Sequence, residues 1–239
     1  MNALAAAFWA AFGAVSLPLG AWLAVHWRPA ERTVGLILGF GAGTLLGAIA
    51  YELLPRGSAH GWGTVFSFAA GCLVFFFTER AIAGPDPRGT AADAHGSAGR
   101  AIVLGALLDG VPESLVLGMS LASGGTVSMA FLAAVFLSNL PEALGATAAM
   151  RASGQSMRTI YRIWFGILIV AGIAGAAGYG LLRAVPHADG AYVKAFAAGA
   201  VLTMIANSMI PEAVRDGRRW AGLLVALGFA VAGALTALE

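Results

Sequence analysis

Residues 101–150 read AIVLGALLDGVPESLVLGMSLASGGTVSMAFLAAVFLSNLPEALGATAAM: fifty residues with no lysine or arginine and three acids, Asp109, Glu113 and Glu142. A spanning helix needs about 20 largely apolar residues, so the stretch is long enough for two. Its Ser123-Gly124-Gly125-Thr126-Val127-Ser128 segment divides it into a pair of spans. The same density of apolar residues continues on both sides. Toward the N-terminus, 3–25, 33–51 and 61–78 carry no charge, and toward the C-terminus 163–182, about 190–211 and 220–238 complete the set. The count predicts eight transmembrane helices in a single domain over 1–239, an all-α integral membrane protein. Charged residues are 11% against roughly 25% in soluble domains, and Ala and Gly together exceed a third of the chain, so a soluble globular core is excluded. Disorder is excluded by the 59% apolar content.

Basic residues set the orientation. One set of alternate connections holds Arg28, Arg32, Arg80, Arg88, Arg100, Arg151, Arg158, Arg162, Arg215, Arg218 and Arg219; the other holds Arg56, Arg183 and Lys194. Eleven against three places the first set in the cytoplasm and both termini outside. The first segment lacks a basic n-region and exceeds the h-region of a signal peptide, so it is read as helix one. Residues 84–99, GPDPRGTAADAHGSAG, read as a flexible cytoplasmic linker between helices three and four. Within it His95, with Asp86 and Asp93, is a weak candidate for collecting metal. The net charge of +2 is scattered, which argues against a nucleic-acid partner. The single cysteine, Cys72, excludes a disulfide framework, and no nucleotide-binding or nucleophile motif points to an enzyme.

An ionisable side chain inside a span faces a partner, a cavity or a transported ion. Asp109 and Glu113 stand four apart, on one helix face. Helix five repeats the idea with Ser138, Asn139 and Glu142, and both helices place proline directly before glutamate: Pro112-Glu113 and Pro141-Glu142. Each proline frees a carbonyl one turn earlier, at Leu108 and Leu137, where it can serve as an oxygen ligand lining a cavity. Carboxylates, an amide and a hydroxyl form a hard-to-borderline cation site without thiolate or imidazole. The competing reading of these residues is protonated acids bonding between helices. Near the two faces, Glu52 with Pro55 closes helix two outside, and Asn207, Ser208 and Glu212 around Pro211 close helix seven inside, where a path would begin and end. Capping is the alternative there. Small residues such as Gly43, Gly47, Gly172, Gly175 and Gly178 read as helix-packing positions.

These motifs resemble those of the Zrt/Irt-like (ZIP) divalent-metal permeases. That family pairs a His-Asn-x-Pro-Glu-Gly motif in helix four with a His/Gln-Asp/Asn-x-Pro-Glu-Gly motif in helix five. Here Asp109 and Gly110 stand at the first two positions of the former, with Pro112 and Glu113 matching. Ser138 opens the latter, with Asn139, Pro141 and Glu142 matching. Ile210-Pro211-Glu212 is similar to the family's helix-seven ending, with Asn207 and Ser208 where His-Glu commonly stands. The resemblance implies a ZIP-like bundle with both termini outside and a midplane metal site. It also implies inward movement of a divalent cation (zinc, iron or manganese) through the cell (inner) membrane, with no organic cofactor. The departures imply one mononuclear site of Asp109, Glu113 and Glu142, helped by Asn139 and Ser138. The expected partners are the cation, the lipid bilayer and a second copy of the chain as a homodimer. The alternative function is a non-transporting membrane metal sensor or scaffold of the same fold.

Overall fold

The computed structural model describes residues 2–27, 29–54, 61–83, 91–122, 127–184 and 190–238, with the backbone alone at 82–83, 91–104, 108 and 109. Among the described residues there is no strand, and those residues form eight helical segments. They are α1 (Ala3–His26), α2 (Glu31–Leu53), α3 (Gly61–Ala83), α4 (Ala91–Ala122), α5 (Met129–Ala152), α6 (Met157–Ala184), α7 (Ala191–Gly217) and α8 (Arg219–Thr236). All but α4 are, among the described residues, long and apolar enough to cross a membrane. This is the build of an all-α multi-pass membrane protein.

Local chemistry sets the boundaries. Asn2 caps α1 by accepting the Ala5 N–H at 3.0 Å, and Ser128 caps α5 by accepting the Phe131 N–H at 3.1 Å. Leu54, ahead of Pro55, is extended (φ −75°, ψ 124°) and ends α2, as the crowding before a proline requires. Gly190 opens α7 at φ 74°, which suits a residue without Cβ. A single residue, Arg218 at φ 55°, turns α7 into α8. Two helices contain π-helical turns next to a proline: Ile49–Leu53 at the end of α2, and Ile205–Met209 within α7. Pro112 and Pro141 both lie inside their helices, α4 and α5. Residues 91–99, expected as linker, are helical and continue into α4; alanine is common in this run, and alanine is the best helix former. Residues 84–90 and the side chain of His95 lie outside what the structure describes.

The helices pack in two groups. α1 lies against α5 and α6, and α4 against α6; α2 lies against α8 and α7, and α3 against α7. Contact between α2 and α5 joins the groups. Three pairs cross at reciprocal glycines. A Cβ on Gly43 or Gly228 would strike the Val225 or Phe40 carbonyl across the α2–α8 crossing. Gly71 and Gly199 stand the same way toward Phe196 and Phe68 (α3–α7), and Gly118 and Gly178 toward Gly175 and Leu115 (α4–α6). In each pair the glycine meets the carbonyl three residues before its partner glycine. Small residues at such crossings let backbones touch, which is how helices associate where lipid offers no hydrophobic drive. Apolar side chains fill the rest. One cluster gathers Leu45, Val116, Phe131 and Ile205, and another Met150, Ile160, Trp164 and Ile167. The buried Trp164 Nε1 donates to Thr147 Oγ1 at 3.0 Å, a polar tie between α6 and α5.

Candidate metal centre

Glu113, the acid after Pro112, is 2% exposed, and neither of its carboxylate oxygens has a hydrogen-bond partner among the described residues. A buried carboxylate left without partners is costly, so its presence calls for an explanation in function. It opens on a cavity of about 10 Å³, which Ser114, Asn139 and Glu142 line together with Gly110 and apolar residues of α1 and α6. That is about the space of one water-sized sphere. α4 and α5 thus place Glu113, Asn139 and Glu142 along one cavity. Asn139 is 5% exposed. The void beside these groups offers carboxylate, amide and hydroxyl oxygens and neither sulfur nor imidazole, a donor set for a hard or borderline divalent ion. Among the described residues, no group of three His, Cys, Asp or Glu side chains converges to hold a metal ion. The side chain of Asp109, one turn before Glu113 on α4, lies outside the described residues.

Ser138 is placed differently. It is buried, but its hydroxyl donates to the Val135 carbonyl at 2.9 Å within α5. Its backbone faces α2, where a Cβ on Gly41 would lie 2.9 Å from both Ser138 Cα and the Leu137 oxygen. The carbonyl that Pro141 releases is therefore packed against α2 at Gly41. Ser114, the neighbour of Glu113, lines the cavity instead. Adjacency to Glu113 was the available sequence signal for it.

The small cavity is one of three in a row. It shares Ala106 and Glu142 with a cavity of about 410 Å³ that extends to Ser208, Met209 and Glu212. That one shares Val34, Gly145, Ala149 and Glu212 with a third, of about 830 Å³, whose walls include Glu31, Arg151, Arg215 and Asp216. Glu142 stands at the first junction and Glu212 at the second. Glu212 accepts from Arg215 Nη2 at 3.4 Å, and the same guanidinium grips Asp216 at 2.7 and 3.1 Å.

The remaining expected residues sit away from the cavity of Glu113. Glu52 accepts from Thr236 Oγ1 at 3.2 Å, which ties the π turn of α2 to α8. Asn207 and Ser208 both donate to Glu79 of α3, at 2.9 and 2.8 Å. Glu79 was not expected from the sequence, where it merely ends an apolar run. No family model matches the chain, and no protein of curated function matches it.

Proposed function

We propose that the protein is a divalent-metal permease of ZIP type, with eight spans and both termini outside, that moves a cation inward through the cell membrane. The observation that carries this reading is Glu113: buried, unpartnered, and sharing a cavity with Glu142 and Asn139. A carboxylate held this way inside an apolar helical bundle has the character of a resting place for a cation. The two larger cavities support a direction. They run from Glu142 to the helix ends that carry Glu31, Arg151 and Arg215, the arginine-rich side, so the site communicates with the cytoplasmic face by the charge rule. Ala10, Ala14 and Leu17 of α1 also line the cavity of Glu113.

In this reading Glu113 and Glu142 supply charge, and Asn139 and Ser114 supply neutral oxygen donors. Asp109 adds a third carboxylate, one turn from Glu113 on α4. Space for one water-sized sphere requires the ion to enter stripped of most of its hydration, which the anionic groups offset. An all-oxygen set tilts preference toward manganese or iron relative to zinc, which oxygen also binds. Glu142 and Glu212 are successive stations for the departing ion. The chain is then a transporter and not an enzyme, with the cation as cargo and no organic cofactor. A metal-uptake panel in proteoliposomes, with Asp109→Ala and Glu113→Ala beside the wild type, tests the reading. Saturable uptake of a divalent cation that both variants lose supports it. Absence of uptake of every divalent cation by the wild type would leave the sensor or scaffold reading in its place.

A further inference from the structure

The π turn of α7, Ile205–Met209, is held from outside its own helix. Asn207 Nδ2 donates to Glu79 Oε2 at 2.9 Å and Ser208 Oγ donates to Glu79 Oε1 at 2.8 Å, so both oxygens of one α3 carboxylate grip successive residues of the turn. Ser208 and Met209 of this turn, and Glu212 just beyond it, wall the 410 Å³ cavity that begins at Glu142. The backbone does little to fix the turn by itself. Pro211 has no N–H for the Asn207 carbonyl, so a regular helical register would gain no bond there. A π turn carries one residue more than an α turn, and its collapse rotates everything that follows by about 100°. That rotation would take Ile210–Gly217, and Glu212 with it, off the cavity wall.

We propose that Glu79 is a positioning residue of the transport path: through Asn207 and Ser208 it latches the α7 π turn, and so keeps the cavity between Glu142 and Glu212 open. This rests on the reading of Glu113 and Glu142 as the cation site. Glu79 acts through the turn, and its hydrogen-bonding capacity rather than its charge is what the latch uses.

The test reads the cavity directly. A cysteine at Ala146, which lines this cavity, is placed in a Cys72→Ala background, and its rate of modification by a water-soluble maleimide is measured alongside metal uptake. Glu79→Ala slows both labelling and uptake by about tenfold or more, the shift expected when two hydrogen bonds no longer hold one of two states. Glu79→Gln, whose amide can still accept from Ser208 and meet a flipped Asn207, stays within about twofold of wild type. The double variant Asn207→Ala/Ser208→Ala removes the donors and leaves Glu79 in place, and it reproduces Glu79→Ala. Wild-type labelling in both Glu79→Ala and the double variant overturns the latch. Equal slowing by Glu79→Gln and Glu79→Ala overturns it too, since charge would then be the working property. Glu113→Gln separates this from the cation-site reading: its cysteine labels normally while uptake is lost. Wild-type uptake by Glu113→Gln sinks the cation site and leaves the labelling result standing.

Discussion

Replacing Gly41 by alanine tests how tightly the joint between the two helix groups is drawn. The new Cβ would lie 2.9 Å from the Leu137 oxygen and 2.9 Å from Ser138 Cα, with the Leu137 carbon at 3.4 Å. Ordinary contacts begin near 3.4 Å, so the helices must separate locally by at least half an ångström or so. Both struck atoms are backbone, and no side-chain rotation relieves them. α2 cannot simply retreat, because Gly43 on the same helix abuts the Val225 carbonyl of α8. Overpacking of this kind costs about 1–3 kcal/mol, against which alanine's helix propensity returns up to about 1 kcal/mol. Gly180→Ala is the matched control: a Cβ there meets nothing within 4 Å, so it keeps the propensity gain with no clash. Thermal unfolding in detergent should rank Gly180→Ala at or above wild type and Gly41→Ala clearly below. Uptake should fall in Gly41→Ala alone, by about tenfold or more, because the displaced strip of α5 runs directly into Asn139 and Glu142, and small misplacements of reacting groups have effects of that order. Equal stability of the two variants would refute the close α2–α5 contact and the role given to Gly41.

Further outcomes follow from other parts of the structure. In a Cys72→Ala background, cysteines at Asn2 and Leu238 should react with an impermeant reagent on intact cells, and one at Ser156 only after permeabilisation; reaction at Ser156 in intact cells would break the arginine-based orientation. Thr147→Val leaves the buried Trp164 Nε1 without its acceptor and should lower stability by about 1–3 kcal/mol, whereas Thr147→Ser should not; thermal unfolding of the pair decides, and an unaltered Thr147→Val would refute the tie. Asp109→His should retain transport and shift its preference toward zinc in a competition assay, since imidazole suits zinc better than the hardest ions do; an unchanged order of metals would remove Asp109 from the site.

Much of the framework was legible because it follows from composition and spacing. The glycine-rich segment after Ala122 separates α4 from α5 where the sequence places the break, and Pro112-Glu113 and Pro141-Glu142 sit inside those helices. Glu113, Asn139 and Glu142 line one cavity because α4 and α5 both border it. Ser138 shows where the motif misleads: one position along the helix turns its backbone to α2, and its hydroxyl satisfies itself on Val135. Glu79 was invisible for another reason. Its partners Asn207 and Ser208 stand 128 and 129 residues away, and the pairing is fixed by the α3–α7 crossing at Gly71 and Gly199, not by any local pattern. Residues 91–99 are helical and run into α4, where the Gly, Asp and Ser among their alanines make the sequence read as linker. The reciprocal glycine crossings also needed three dimensions, since single-sequence spacing shows small residues without showing which helix each one meets.

Equilibrium cation binding by the purified protein is the most direct test of the central claim, that Glu113 and Glu142 share one buried metal site. Wild-type protein should bind a divalent transition metal in a class of sites that amounts to one ion per chain. Glu113→Gln and Glu142→Gln, which keep size and hydrogen bonding but lose a charge, should each lose that one ion while remaining folded. Binding of the same one ion by both variants with wild-type affinity would contradict the account.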